Sequence, residues 1–308
     1  MNVLVAGASG AIGMPLVCAL VAANHQVTAL TRSTGKQDKL RALGASVAVA
    51  DALNREELIA AVSAAQPTHV IHQLTALPKG GPRRQGDLHA TNRLRVDGTR
   101  NLLDAAIQAH AKRFIVGSFA ILADRGAVSE APHDEAAAAV RSMESQVLEA
   151  NRRGSIEGVI LRYGMFYGPE TPSTAAMIDM VRKRRLPVVR GDAGQLPLIQ
   201  VDDAASATVL ALDHAPAGAT YDIVDDQAVS LTEIADAIAG FTGAARPLRV
   251  PAWLPRLVAP YMARMTSIRM PLSNAKAKAE LGWRPKYSTM REGLAQILSA
   301  PPTRPSFS

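Results

Sequence analysis

The chain has 308 residues, 48% of them hydrophobic, and a formal net charge of +7. That is ample for one large α/β domain and a smaller one, while the apolar runs break well short of a membrane span and a lone Cys18 leaves no disulfide framework or cysteine-based metal site. The positive charge suits anionic ligands such as phosphate esters, but the run Arg182-Lys183-Arg184-Arg185 is too short, and too poor in aromatic neighbours, to read as a nucleic-acid surface.

The apolar stretch Val3-Leu4-Val5-Ala6 runs straight into Gly7-Ala8-Ser9-Gly10-Ala11-Ile12-Gly13, and Leu16 and Leu20 follow Ile12 at helical spacing. Strand, tight turn and helix N-terminus in succession predict a dinucleotide site, with Gly7, Ser9, Gly10, Ala11, Ile12 and Gly13 around the pyrophosphate. Gly7 lets the chain turn, Gly10 lets the phosphates approach the backbone, and Gly13 lets helix and strand pack closely. No secretory signal precedes a strand that starts at residue 2, so the expected location is cytoplasmic.

Gln26 to Thr31 reads as the second strand, and Arg32 follows it. An acid at this place favours a free ribose 2′-hydroxyl, whereas an arginine accommodates a 2′-phosphate. Arg32, with Ser33 and Lys36 nearby, therefore predicts NADP rather than NAD. A third strand, 46–50, ends at Asp51; Asn54 is placed to cap a helix over 55–64, with Glu57 as its capping-box partner. A fourth strand, 68–72, runs into Gln73-Leu74-Thr75. The loop 76–87 has turn composition, a long helix is expected over 88–109, and Arg113 to Ser118 forms the fifth strand.

The Gly-x-x-Gly-x-x-Gly spacing resembles that of the short-chain dehydrogenase/reductase superfamily, in its extended epimerase/dehydratase-like branch. Asp97-Gly98-Thr99-Arg100-Asn101-Leu102-Leu103 resembles that branch's Gly-Thr-x-Asn-Leu-Leu helix, with Arg95 where an asparagine is common. The resemblance implies an α/β, doubly wound (Rossmann-type) parallel sheet with a smaller C-terminal substrate-binding subdomain. It also implies Asp51 and Ala52 beside the adenine and Leu74 at the cofactor ribose. His72 fits it as a packing residue.

In that superfamily a serine or threonine after the fifth strand and a Tyr-x-x-x-Lys pair on the next helix move the proton. A tyrosine near pKa 10 works at neutral pH only when a neighbouring cation lowers it, and the four-residue spacing sets the two one turn apart. None of the five tyrosines here has a lysine four residues on. With Glu144 aligned to the acid that commonly follows the lysine, Ala136 and Val140 stand in the Tyr and Lys places, and Phe119 stands where the reactive hydroxyl would. Ser118, one residue earlier, remains.

Glu157 to Arg162 is the sixth strand, and Tyr163-Gly164-Met165-Phe166-Tyr167-Gly168-Pro169 resembles the branch's segment under the nicotinamide. Met165 replaces an asparagine that reaches the substrate in sugar-nucleotide members, which argues against a nucleotide-sugar. Tyr163 and Tyr167, at the carboxyl end of a strand, join Ser118 as the expected proton donors. A helix over 173–185, a turn-rich loop over 191–195, and a Val-Asp-Asp motif at 201–203 follow. Asp202 and Asp203 read as an N-cap and a buried structural contact. Thr220 to Val224 returns to the sheet, Ser230 caps a helix over 231–241, and 276–285 resembles the closing Leu-Gly-Trp-x-Pro segment.

The proline-broken apolar segment 249–270 is expected to wall the substrate pocket or to form a subunit contact, as in a homodimer, rather than lie on a membrane. The tail 301–308 is expected to be loose. The expected division is a dinucleotide-binding domain over 1–165, to which 198–226 returns, and a substrate-binding subdomain over 166–308. The expected activity is an NADP-dependent oxidoreductase acting on a small, rather apolar carbonyl or hydroxyl compound, without nucleic-acid or membrane partners. The alternatives are an NADP-bound epimerase, dehydratase or lyase, and a redox-inactive NADP sensor.

Overall fold

A computed structural model describes residues 1–78, 81–123, 135–169, 171–190, 194–258, 260–269 and 272–299. Strand and helix alternate through the first half. β1 (Asn2–Ala6) leads to α1 (Gly13–Ala22), β2 (Gln26–Thr31), α2 (Gln37–Ala42), β3 (Ser46–Val49), α3 (Arg55–Ala65) and β4 (His69–His72). Next come α4 (His89–Arg93), a π-helical turn (Leu94–Gly98), α5 (Thr99–Gln108), β5 (Arg113–Phe119), α6 (Glu135–Arg152) and β6 (Glu157–Tyr163). The rest runs through β7 (Met165–Tyr167), α7 (Pro172–Arg182), β8 (Val188–Val189), β9 (Leu198–Gln200), α8 (Val201–His214) and β10 (Thr220–Ile223). It closes with α9 (Leu231–Thr242), β11 (Arg249–Val250), α10 (Trp253–Val258), α11 (Pro260–Met265), α12 (Ala275–Leu281) and α13 (Met290–Ser299).

Seven strands form one parallel sheet in the order β10-β6-β5-β4-β1-β2-β3. The order reverses at β1, as in a doubly wound Rossmann-type fold. Val3 to Ala6 are fully buried because helices cover both faces. Val3 and Val5 pack with Leu16 and Leu20 of α1 and Ala204 to Ala211 of α8. Leu4 and Ala6 pack on the other face with Leu58 of α3, Leu102 of α5 and Met143 of α6. Two further apolar clusters lie beyond the sheet: Tyr167, Val181, Leu198, Ile238 and Leu294 meet in one, and Leu88, Ile121, Leu122, Ala136 and Val140 in the other.

Local chemistry sets most boundaries. Asn54 accepts a hydrogen bond from the Glu57 amide at 3.4 Å to start α3, and Ser230 and Glu233 form a reciprocal capping box on α9. The cap of α8 is Gln200, whose side chain accepts from the amides of both Asp202 and Asp203. Asp203 has the buried contact expected of it, accepting from the Lys286 and Tyr287 amides at 2.7 and 2.9 Å. The helix expected over 88–109 is interrupted by the π turn. There Thr91, Arg95 and Thr99, four residues apart in succession, are all buried. A regular α-helix drifts off one face over eight residues, and the wider turn restores the alignment. Neither β8 nor α13 was anticipated. Residues 191–193 of the expected loop and the tail 301–308 lie outside the described residues. Among the described residues no helix is long and apolar enough to cross a membrane.

Candidate functional site

The site begins where β1 ends. Gly7 has φ +86°, and a Cβ there would lie 2.5 Å from the Gln73 carbonyl oxygen. Gly13 is as constrained, since its Cβ would fall 2.3 Å from Gly7 O, whereas at Gly10 the only near atom is Gly7 O at 3.2 Å. Gly10 and Ala11 are exposed and Ile12 is buried. The loop is thus tight underneath and open above Gly10, which fits close approach of a pyrophosphate to backbone amides that precede the first helical turn.

At the ends of β2 and β3 the polar groups knit to this loop. Ser9 Oγ and Thr31 Oγ1 lie 3.2 Å apart, and the Ser33 amide donates to Thr31 Oγ1 at 3.2 Å. Lys36 Nζ donates to the Ser9 carbonyl at 3.0 Å, and Arg32 is exposed beside it in the chain. Asp51 Oδ1 accepts from the Leu53 amide at 2.9 Å, and Asn101 of α5 holds the Ala52 carbonyl at 2.9 Å. Leu74 is half-buried just past β4. The expected cofactor residues therefore all lie at the carboxyl ends of β1 to β4 or in the segments leaving them, where open α/β sheets bind ligands.

His72 is buried, with Nε2 2.9 Å from Thr99 Oγ1 and Nδ1 accepting from the Leu74 amide at 3.1 Å. Burial, with the Arg95 charge adding to it, pushes its pKa down to about 4, so the ring is neutral and structural.

The three expected donors do not converge. Ser118 of β5 and Arg162 of β6 face α6, where Ser118 Oγ donates to Glu144 Oε1 at 2.6 Å and Arg162 grips both carboxylate oxygens at 2.9 and 2.6 Å. Tyr163 faces the opposite side of the sheet, among residues packed on α1 and α8. Its hydroxyl accepts from Gln73 Nε2 at 3.0 Å and lies 2.7 Å from Thr208 Oγ1. Because Thr208 donates its one proton to the Ala204 carbonyl at 2.7 Å, Tyr163 is the donor in that pair. Burial pushes Tyr163 up to about 12. Tyr167 packs in a third place, donating to Asp225 Oδ2 at 2.9 Å, with its pKa raised by burial and then by the Asp225 charge. All three hydroxyls, expected as alternative proton donors, hydrogen-bond inside the protein at three separate places.

Ala136 and Val140 of α6 are both fully buried among Leu88, Ile121, Leu122 and Ala123. Phe119, Met165 and Ile268 pack half-buried against that cluster. Sequence reasoning missed Gln73 and Asp225. The one usable signal for the first was Gly117, where a Cβ would lie 2.2 Å from Gln73 Oε1 and 2.9 Å from the Tyr163 ring. Among the described residues no group of three His, Cys, Asp or Glu side chains could hold a metal.

A glycine loop with open space above Gly10, at the switch point of a parallel seven-stranded sheet, also has counterparts in known proteins. The profile of the NAD dependent epimerase/dehydratase family matches residues 3–224. The chain belongs to that family. A 3-diazoavenalumate denitrifying reductase from a Streptomyces species is 37% identical over 96% of this chain and 100% of its own length. A 4-hydroxy-2-methyl-3-oxo-4-farnesyl-3,4-dihydroquinoline-1-oxide ketoreductase from Stigmatella aurantiaca is 28% identical over 75% of this chain and 70% of its own. Among solved structures, the UDP-glucose 4-epimerase of Thermus thermophilus in complex with NAD superposes with a TM-score of 0.78 at 25% identity, covering 97% of this chain and 98% of the other. The chain is thus similar over most of its length to a reductase, a ketoreductase and an epimerase.

Proposed function

We propose that this protein is an NADPH-dependent reductase that presents a small, rather apolar hydride acceptor to the nicotinamide without a protein acid–base pair. The observation that carries the reading is that the hydroxyls of Ser118, Tyr163 and Tyr167 are engaged inside the protein, and the burial of Ala136 and Val140 on α6 supports it. Gly7, Ser9, Gly10, Ala11, Ile12 and Gly13 would hold the pyrophosphate, Asp51, Ala52 and Leu74 the adenosine and ribose sides, and Arg32 with Ser33 and Lys36 the 2′-phosphate. When bound, the cofactor supplies a hydride, and an acceptor that expels dinitrogen as the C–H bond forms balances that transfer with no proton from the protein.

The relative that is 37% identical is named for reductive denitrification of a diazo compound, which supports an aryl diazo acceptor for this chain as well. Residues 1–165 with 198–226 would form the dinucleotide-binding domain. Residues 166–308 would form the substrate side, a division supported by the separate cluster of Tyr167, Val181, Ile238 and Leu294. The ketoreductase relative favours a second acceptor class, a small apolar carbonyl compound, with the proton then taken from water.

The test is NADPH oxidation against a panel of arenediazonium salts and ketones, with dinitrogen release measured in parallel. Turnover with one dinitrogen per NADPH, retained in Ser118→Ala, Tyr163→Phe and Tyr167→Phe, is expected. Loss of ~10²-fold or more in one of those variants would restore a protein donor. Tight NADPH binding without turnover on any acceptor would sink the reductase reading in favour of a sensor or a non-redox enzyme.

A further inference from the structure

Gln73 leaves the end of β4 beside the point where the strand order reverses. Its backbone belongs with the glycine loop: the Gln73 amide donates to the Ala6 carbonyl at 2.8 Å, and its own carbonyl lies against Gly7. Its side chain runs the other way, over β5. A Cβ on Gly117 would lie 2.2 Å from Gln73 Oε1 and 2.9 Å from Cδ, so only a glycine there leaves the side-chain amide its place. Beyond Gly117 the side chain ends at β6, where Nε2 donates to the Tyr163 hydroxyl at 3.0 Å.

A relay of hydrogen bonds fixes which way that amide faces. The Ala204 carbonyl can only accept, so the one proton of Thr208 goes to it, at 2.7 Å. Tyr163 then donates to Thr208 at 2.7 Å, and its oxygen is left to accept from Gln73. Burial raises the Tyr163 pKa to about 12, so the proton that the relay needs stays in place across the neutral range. Nε2 is thereby turned to Tyr163, and Oε1 faces away from it as an acceptor. Among the described residues no group donates to Oε1. The fully buried side-chain atoms without a partner among those residues belong to His25, Asn92, Gln146 and Asp225, so Oε1 retains part of the 9% exposure of Gln73. An acceptor of fixed direction, nearly buried and without a protein donor, is a place for a donor on a ligand.

We propose that Gln73 Oε1 accepts a hydrogen bond from the carboxamide N–H of the nicotinamide, and that Tyr163 and Thr208 are positioning residues that hold the Gln73 amide in that sense. The proposal rests on the NADP-binding reading and deepens it. With the pyrophosphate at Gly10 and the adenosine toward Asp51, past β2 and β3, the other half of the cofactor crosses β4 and β5. Leu74 meets the ribose in that reading, and Oε1 lies one strand further out, over β5 and roughly 10 Å from β1. The donor in reach beyond the ribose is the carboxamide.

The test is calorimetric titration of three probes: NADP⁺, its 3-acetylpyridine analogue, in which a methyl replaces the carboxamide amino group, and 2′,5′-ADP, which lacks the nicotinamide half. The parent protein should bind NADP⁺ about threefold to tenfold more tightly than the analogue. Gln73→Leu should lower NADP⁺ affinity by a similar factor, remove the preference over the analogue, and leave 2′,5′-ADP within about twofold. Tyr163 keeps Thr208 as its acceptor in that variant, so its hydroxyl is not stranded. Thr208→Val frees the Tyr163 proton for the Gln73 amide, which then turns over and presents Nε2 in place of Oε1; it should remove the same preference from a fully buried position that touches no cofactor. This second variant decides the matter should Gln73→Leu fail to fold by circular dichroism. No preference in the parent, a preference that survives in either folded variant, or equal weakening of NADP⁺ and the analogue, as a ribose contact would give, would overturn the proposal. A parent protein that binds neither NADP⁺ nor 2′,5′-ADP would sink the cofactor reading itself, whereas tight binding of both with no effect of Gln73→Leu would sink this inference alone.

Discussion

Arg162 closes on Glu144 through two hydrogen bonds of 2.9 and 2.6 Å, and Ser118 completes the carboxylate with a third of 2.6 Å. Glu144 is 5% exposed, so this network ties β5 and β6 to α6 in a water-poor place. Removing one partner of a buried ion pair leaves the other charge uncompensated and costs about 3–5 kcal/mol. Glu144→Ala is therefore expected to destabilise the protein by that order in urea unfolding. Ser118→Ala leaves the ion pair intact and should cost about 0.5–1.5 kcal/mol, with little loss of reductase turnover. A Ser118→Ala variant of normal stability but ~10²-fold lower activity would make Ser118 a proton donor after all.

Cofactor choice is predicted to rest on the exposed edge after β2. Arg32 can meet a 2′-phosphate, and Lys36, tethered to the Ser9 carbonyl at 3.0 Å, places a second cation at the glycine loop. A charge-assisted contact supports about 1.5–3 kcal/mol, roughly tenfold to a hundredfold in affinity. Arg32→Ala and Arg32→Asp should each erase most of the preference for NADPH over NADH in fluorescence titrations. Lys36→Ala should erase a smaller part. Equal affinities for the two cofactors in the parent protein would rule out the 2′-phosphate role.

The glycine loop separates binding from folding. At Gly10 an added Cβ meets only Gly7 O, at 3.2 Å, so Gly10→Val should fold and yet fail to bind NADPH, because its side chain fills the space above the loop. At Gly13 a Cβ would sit 2.3 Å from Gly7 O and 2.5 Å from Ala8 O, both backbone atoms. Gly13→Ala is expected to lower stability itself, by about 1–3 kcal/mol. Circular dichroism melts beside cofactor titrations distinguish the two. Undiminished binding in folded Gly10→Val would move the cofactor elsewhere.

The parts legible in the sequence are those where neighbours in the chain do the work. Val3 to Gly13 encodes strand, turn and helix within a dozen residues, and Ser230 with Glu233 encodes a helix start within four. What was not legible depends on partners far apart. Ser118 meets Glu144 26 residues away, Tyr163 meets Gln73 across 90, and Tyr167 meets Asp225 across 58. Nothing local to Tyr163 or Tyr167 says where its hydroxyl will point, because Tyr163 ends a strand buried on both faces and Tyr167 ends the short strand after it. The π turn escaped for a related reason. It goes with Thr91 accepting from the Ala76 amide and Thr99 meeting His72, contacts that a helical period read along one segment cannot contain.

The last prediction concerns Asp225, which is 4% exposed, accepts one hydrogen bond from Tyr167, and leaves Oδ1 buried without a hydrogen-bond partner. Burial first, and the Asp203 charge among lesser causes, pushes its pKa up from 3.8 to about 7. Asp226 adds to this repulsion, and the Tyr167 hydrogen bond opposes it. Its folded pKa therefore lies above the unfolded value. Below about pH 4 both states hold the proton, and the contribution to stability is fully present. Between pH 4 and 7 the unfolded chain releases the proton while the folded one keeps it, so stability falls as the pH rises and levels off above about 7. The displacement corresponds to at most on the order of 4 kcal/mol. Asp225→Asn, whose amide oxygen can still accept from Tyr167, should flatten this slope and make the variant relatively more stable at pH 8 than at pH 5, as read by urea unfolding at the two values. An unchanged slope would mean that Asp225 titrates in the folded protein as it does in the unfolded chain.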